Sequence, residues 1–332
     1  MVNFISFIVP AFNCEAYIEQ CVFSILNQDF ERFEVIVIDD GSTDGTGLIL
    51  DKLSEVYDNL IVIHNQNSGV SVSRNVGLAR ASGDYVAFVD GDDFLAPGFA
   101  KYMSSLIGKS GADFAISINC FESVNDNQPK KNYIKKMSKE EITELLLLPI
   151  VKVGCWNKIY KKSFLLENNL LFDSKLFYGE GLDFIVRVSQ RCNFAMVGNR
   201  RVYYYRRNNE TSVCTVFKIE NVYNGELSLN TIKNNLIVSN KTFLDAITIH
   251  LCLFYAGALT RIRINKMLKQ YKTDNKKWLS FNRKHLGVVL FSKQIGLYYK
   301  LIILLSAVCP SFLSILEKKR RKRIQKNSVE KI

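Results

Sequence analysis

Four short stretches of this chain set acids or turn-forming polar residues where an apolar run stops. The run Val37-Ile38 ends in Asp39-Asp40-Gly41-Ser42-Thr43-Asp44-Gly45-Thr46. Acids at the end of a buried strand are costly unless they bind something. A carboxylate there can accept the imide N–H of uracil or thymine, or a ribose hydroxyl, and the glycines let a ligand come close to the backbone. The same letters also spell a turn followed by a helix cap. Phe88-Val89-Asp90-Gly91-Asp92-Asp93 repeats the theme. Asp90 and Asp92 are hard oxygen ligands suited to Mg²⁺ or Mn²⁺, and such a cation would bridge the diphosphate of a sugar nucleotide. Ile8-Val9-Pro10-Ala11-Phe12-Asn13 stops at a proline. Phe12 either stacks on a base or, the simpler reading, staples the start of the next helix. Finally, Phe177-Tyr178-Gly179-Glu180-Gly181-Leu182-Asp183 opens an amphipathic helix with two acids. The helix dipole stabilises acids there in any case, and the functional alternative is a general base that deprotonates an attacking hydroxyl.

The elements that must position these groups follow from periodicity. Strands are predicted at Phe4 to Val9, Phe33 to Ile38, Leu60 to His64, Tyr85 to Val89 and Phe114 to Ile118. Helices are predicted between them at Ala16 to Leu26, Thr46 to Tyr57 and Val72 to Ala81. That alternation implies an α/β domain with a Rossmann-like, mainly parallel sheet, flanking helices and a site at the carboxyl ends of the strands. A polar insertion from Asn125 to Lys131, a helix from Lys139 to Leu148 and an aromatic-rich segment from Trp156 to Tyr205 come next. From about Phe217 the pattern is helical and increasingly basic. The expected organisation is 1–215 as the main domain, divided into 1–122 and 123–215, with 216–332 as a C-terminal helical region.

Composition narrows the classes. A chain of 332 residues with 48% hydrophobic residues can bury a full core. Its eight cysteines, Cys214 among them, form no C-x-x-C pair and read as reduced packing residues. With three histidines, His64, His250 and His285, none beside a plausible nucleophile, acid and base work falls to carboxylates. The net charge of +12 raises the question of nucleic acid, yet much of the excess lies in Lys318 to Arg323, just after the apolar stretch Leu301 to Leu316. Aromatics are not interleaved with the basic residues as nucleic-acid sites require, so no nucleic-acid partner is expected. The stretch is shorter than the roughly 20 residues of a spanning helix and is broken by Pro310, so it reads as an interfacial helix with a basic anchor, or as a helix packed on the core. Met1 to Pro10 has no secretory pattern, and the expected location is the cytoplasm, peripheral to the inner face of the membrane.

Taken in order, these motifs, with Ser24-Ile25-Leu26-Asn27-Gln28, Asn67-Ser68-Gly69, Ser73-Arg74-Asn75-Val76-Gly77-Leu78 and Ala81-Ser82-Gly83-Asp84, resemble the family 2 glycosyltransferases of the GT-A fold that build bacterial surface polysaccharides. The resemblance runs from Ile5 to about Ser212. It implies that Pro10, Phe12 and Asp40 hold the base, with Asn13 in the same nucleotide-binding stretch, that Arg74 lies near the nucleotide, and that Asp90 and Asp92 bind ribose and a Mn²⁺ or Mg²⁺ ion. It further implies a UDP-sugar donor, a lipid-linked or oligosaccharide acceptor, inversion at the anomeric carbon, and Trp156 against an acceptor sugar. One departure matters: many relatives read Glu-Asp where this chain reads Glu180-Gly181, so the base role passes to Glu180 first and Asp183 second. A nucleotide-sugar-binding protein without catalysis is the alternative. No Q-x-x-R-W motif is present, which points to single additions.

Overall fold

The computed structural model describes residues 4–108, 110–207 and 217–326; Cys214 lies outside the described residues. Among the described residues ten strands are formed: β1 (Ile5–Ala11), β2 (Phe33–Asp39), β3 (Leu60–His64), β4 (Tyr85–Phe88), β5 (Phe94–Leu95), β6 (Phe114–Ser117), β7 (Ile134–Ser138), β8 (Lys158–Lys161), β9 (Phe194–Gly198) and β10 (Tyr203–Tyr204). Eight make one sheet in the order β3-β2-β1-β4-β8-β6-β9-β7, and β5 pairs with β10 in a separate ribbon. The strands β3, β2, β1 and β4 run parallel. β8 is antiparallel to both β4 and β6, β6 and β9 are parallel, and β7 closes the edge antiparallel to β9.

The first half follows its hydrophobic period. β1 and β2 are buried over nearly their whole length, as strands covered on both faces must be. The crossovers α1 (Ile18–Leu26), α2 (Thr46–Ser54) and α3 (Val70–Arg80) lie close to their expected bounds. Then come α4 (Phe99–Ile107), α5 (Lys139–Leu147), α6 (Lys162–Glu167) and α7 (Glu180–Ser189). A capping box starts α5: Ser138 accepts from the Glu141 N–H, and Glu141 accepts from the Ser138 N–H. The buried cysteines Cys14, Cys21, Cys120, Cys155, Cys192 and Cys252 are all unbridged.

The C-terminal region is helical: α8 (Ile219–Asn234), α9 (Lys241–Ile264), α10 (Lys272–Lys284), α11 (Leu286–Phe291), α12 (Leu297–Val308) and α13 (Pro310–Lys326). Among the described residues α9 alone is long and apolar enough to cross a bilayer, but 56% of its most apolar window is buried, and α10, α12 and α13 pack against it. The stretch Leu301 to Leu316 is two helices broken at Cys309, as Pro310 requires. It packs on the core in part. Ile303, Ala307 and Leu313 are buried, whereas Leu301, Val308, Phe312, Ile315 and Leu316 stay exposed.

The seating of α3 on the sheet depends on Gly77. A Cβ there would stand 2.3 Å from Ile8 Cγ2, in the middle of β1, and 2.8 Å from Ile38 Cδ1, near the end of β2. Gly77→Ala is therefore expected to lower stability by about 1–3 kcal/mol through overpacking, despite its better helix propensity. Denaturant unfolding of the two chains measures it, and an unchanged midpoint would show that the helix can lift away freely.

Candidate active site

Four carboxylates and two arginines meet at the carboxyl end of β4. Arg74, on α3, is a fully charged guanidinium with a side chain only 4% exposed. Its Nη2 donates to Asp90 Oδ1 at 2.7 Å and its Nη1 to Glu180 Oε1 at 2.8 Å. Glu180 is the first residue of α7, entered through Gly179 at φ +84°, a conformation that favours glycine. The Glu180 side chain keeps 15% of its surface exposed. Its second oxygen has no hydrogen-bond partner among the described residues.

The other arginine, Arg206, stands in a stretch, Tyr203-Tyr204-Tyr205-Arg206, that is similar to a family segment but that assigned it no role. The β5–β10 ribbon brings Tyr203 and Arg206 to Asp90-Gly91-Asp92-Asp93. Tyr203 accepts from the Asp90 N–H and donates to Asp93 Oδ2 at 2.8 Å, while the Arg206 N–H donates to Asp93 Oδ1. Arg206 Nη1 donates to the Asp92 carbonyl at 2.7 Å, and the guanidinium lies over Tyr17 and Phe94. Burial, then the charges of Asp92 and Asp90, push the Asp93 carboxyl well above the usual carboxylate range.

The β1 and β2 ends form an adjoining platform. Gly91 is pressed against it: a Cβ there would be 2.9 Å from the Pro10 carbonyl and 3.5 Å from Ala11 Cα. Phe12 offers an aromatic ring that is half exposed. Asn13 is a latch: its N–H donates to Ser42 Oγ, and its Oδ1 accepts from the Thr43 N–H at 2.7 Å. Asp40 is buried and already accepts three hydrogen bonds, from the N–H and Oγ of Ser68 and the N–H of Gly69. It fastens β2 to the start of α3, and of its roughly four acceptor directions one remains for a ligand. Asp39 is turned the other way, to the Ser42 N–H and to His64 Nδ1 at 2.9 Å.

Two expected residues are placed elsewhere. Asp183 is 2% exposed and held by Arg187, one turn along α7, so it does not face the carboxylate cluster. Burial raises its carboxyl pKa, partly offset by Arg187. The spacing Asp183 to Arg187 is the i, i+4 ion-pair signal on a helix, legible in the sequence. Trp156, expected against a sugar, is 6% exposed and stacks on Tyr203 and Tyr205 at 4.7 and 5.0 Å. Its ring is a packing element beneath the Tyr203 strand. At Gly181 a Cβ would be 3.1 Å from the Cys155 nitrogen and 3.2 Å from Gly154 Cα, so a carboxylate there requires the 154–155 backbone to give way.

Among the described residues no group of three His, Cys, Asp or Glu side chains is placed to hold a metal alone. The donor set at Asp90 and Asp92 is nevertheless of the right kind. Magnesium-like cations are typically held by one or two carboxylates plus substrate phosphates, and Asp90 and Asp92 are carboxylates of that kind on one turn after β4.

The sequence model of glycosyl transferase family 2 matches residues 6–167. A Campylobacter jejuni protein, the GalNAc(5)-diNAcBac-PP-undecaprenol beta-1,3-glucosyltransferase, is 32% identical over 241 residues, 71% of this chain and 76% of that protein. The chain belongs to glycosyl transferase family 2. The chain spans 30%, 62% and 50% of the length of three other curated relatives that it matches. Among solved structures, Staphylococcus aureus TarS 1-349 in complex with UDP-GlcNAc superposes with a TM-score of 0.66 at 20% identity, covering 96% of this chain and 92% of that one. The mannosyltransferase PcManGT from Pyrobaculum calidifontis in complex with GDP-Man and Mn²⁺ gives 0.56 at 13% identity, covering 95% and 87%. This family member has the GT-A fold.

The His64 ring bridges Asp39 Oδ2 and Asp51 Oδ1, both at 2.9 Å. Its pKa is raised above 6.5, first by the hydrogen bond to Asp39 and then by that to Asp51. The sign follows: stability from this brace is fully present below about pH 6.5, the unfolded value, and is lost as pH rises through the higher folded value. Thermal melting followed from pH 5.5 to 8.5 should show that decline in the native chain and a flatter profile in His64→Asn. Parallel profiles would remove His64 as the cause.

Proposed function

We propose that this chain is an inverting glycosyltransferase that moves a hexose or N-acetylhexosamine from a UDP-sugar to a hydroxyl of a lipid-linked or growing bacterial surface glycan. The observation that carries the reading is the Asp90–Arg74–Glu180 bridge, which fixes one acid at the sheet end and leaves a second with an oxygen open to an incoming hydroxyl. Residues 1–122 serve as the donor half, 123–215 as the acceptor half and 216–332 as the helical region that adjoins a membrane. The half-exposed Phe12, with Pro10, Asn13 and the last acceptor direction of Asp40, would receive the uracil base. The TarS complex with UDP-GlcNAc supports the choice of donor.

In the proposed step the open oxygen of Glu180 takes the proton of the acceptor hydroxyl. The acceptor oxygen then attacks the anomeric carbon from the face opposite the nucleotide. Its bond to C1 forms as the C1–O bond to UDP breaks, and UDP leaves with the electron pair, so configuration inverts. Arg74 holds Glu180 and Asp90 at fixed separation throughout, and Arg206 holds the Asp92 backbone. A divalent cation, when bound by Asp90 and Asp92, supplies Lewis-acid neutralisation of the charge that grows on the diphosphate. PcManGT with Mn²⁺ supports that assignment.

Glu180→Gln should keep UDP affinity and lose about 10²–10⁴ in sugar transfer, while Asp92→Ala should lose metal-dependent UDP binding as well. Calorimetry with UDP and Mn²⁺, paired with a UDP-release assay over a panel of UDP-sugars, reads both. Full activity in either variant would remove that residue's role. Gly181, in place of the acid that many relatives carry, favours one second reading, a nucleotide-sugar-binding protein without turnover. Tight UDP-sugar binding with no release from any donor would establish it.

The exposed apolar side chains of α12 and α13, followed by Lys318, Lys319 and Lys322, support a peripheral position on an anionic membrane at its inner face. Replacing Phe312, Ile315 and Leu316 by Ser should cut co-sedimentation with phosphatidylglycerol vesicles while leaving UDP release in solution unchanged. Undiminished sedimentation would place the contact elsewhere.

A further inference from the structure

A cavity of about 550 Å³ lies beyond the carboxylate cluster, between residues 118–126, the 149–152 segment and the last helix, α13. Its charged lining is lopsided. Lys152, Arg201, Arg207, Arg320 and Arg323 face it against Glu122 and Asp126. Neither acid is uncommitted: Glu122 pairs with Lys152 and Arg207, and Asp126 accepts from the Glu122 and Ser123 N–H groups. Two of the guanidinium groups are themselves held, Arg320 by a bidentate pair with Glu317 and Arg201 by the Cys120 and Asn127 carbonyls, yet cations still outnumber acids around the cavity, and guanidinium forks match phosphate oxygens. Burial, then the charge of Arg320, lowers the pKa of Arg207, which places these two cations near one another.

This cavity is coupled to the active site by one segment of chain. Within Tyr203 to Arg207, Tyr203 and Arg206 grip Asp93 and the Asp92 carbonyl, while Arg207, the next residue, reaches the cavity. Tyr205 lies between, with its N–H on the Phe121 carbonyl and Lys152 over its ring. The donor's diphosphate belongs at the acids of β4, where a cation is needed to receive it. The basic cavity needs none.

We infer that this cavity is an anion subsite for a phosphate or diphosphate group carried by the acceptor, set so that the glycan attached to that group extends toward Glu180. The inference rests on the transferase reading above and adds the acceptor's chemical class to it: a phosphate-bearing glycan, whether a lipid diphosphate or a phosphodiester polymer. It also gives α13 a second duty, since the helix that exposes apolar side chains contributes Arg320 and Arg323 to the cavity.

The test uses the full chain, with pyrophosphate and UDP as calorimetric probes and a glycan acceptor prepared with and without its terminal diphosphate. In the double variant Arg320→Gln/Arg323→Gln, pyrophosphate affinity should fall by about tenfold or more, the scale of one charged hydrogen bond. KM for the diphosphate-bearing acceptor should rise in proportion, with UDP affinity, kcat and KM for the phosphate-free acceptor unchanged. Lys152→Gln, from a different wall, should act in the same direction and covers the case in which α13 is disturbed, which circular dichroism reports. Unchanged pyrophosphate affinity in both variants overturns the inference. So does an equal rise in KM for the phosphate-free acceptor, or a loss seen only in binding to phosphatidylglycerol vesicles, which would make the cations headgroup contacts. Failure of the native chain to bind UDP would instead sink the transferase reading, with pyrophosphate binding still measurable.

Discussion

The arrangement hangs on one buried guanidinium. Arg74 joins an acid from the end of β4 to an acid from the start of α7, two elements far apart in the chain, and its cation lies 5.2 Å from the centre of the Phe172 ring. Phe172 is itself stacked on Phe184 of α7 at 4.0 Å. Removing the cation would leave two carboxylates facing one another with little water, a loss typically of about 3–5 kcal/mol. The same pairing is what makes the acids usable. Without Arg74, mutual repulsion would spread Asp90 and Glu180 apart or protonate one of them, and the site would lose either its geometry or its charge.

A second clamp performs the complementary task on the other side of the Asp90-Gly91-Asp92-Asp93 turn. Three acids within four residues repel one another, so at least one must be withdrawn from the competition. Asp93 is that one: burial, then the charges of Asp92 and Asp90, raise its pKa, while the bonds from Tyr203 and the Arg206 N–H fix its position and oppose that rise. Asp90 pairs instead with Arg74. The division of labour explains why the two-residue strands β5 and β10 exist at all, since their pairing carries Tyr203 and Arg206 to the turn.

Much of this was legible before any coordinates. The parallel strands and their crossover helices stand out because burial on both faces forces continuous apolar runs, and the turns between them concentrate Asp, Gly and Ser. What the sequence hides has physical causes. The β5–β10 ribbon is too short to show a period, and its pairing partners are separated by more than a hundred residues. β7 is an edge strand of mostly exposed residues, Ile134-Lys135-Lys136-Met137-Ser138, and so gives no strand signal between the polar insertion Asn125 to Lys131 and the helix that follows. Asp93 and Arg206 matter through contacts that only the fold creates. Trp156, expected against an acceptor sugar, is hidden for a related reason: Tyr203 and Tyr205 stack on it and cover it.

The acid on α7 shows how a helix register decides chemistry. Successive residues are about 100° apart around the axis, so positions 180, 181 and 183 meet different surroundings although they are within one turn. Position 180 meets Arg74, position 181 meets the backbone of residues 154–155, and position 183 meets Arg187. A carboxylate at 181 would require the 154–155 segment to stand back, and that segment is tied by Lys158, whose ammonium donates to the carbonyls of Gly154 and Trp156. With no side chain at residue 181 the turn lies against α7 at a distance from which a Cβ would push it back by a few tenths of an ångström. Gly181 is thus one half of a matched pair with the 154–156 turn. The closer packing leaves Glu180 as the α7 acid that the fold turns toward the cluster, with its position set by Arg74 and by the left-handed Gly179 before it.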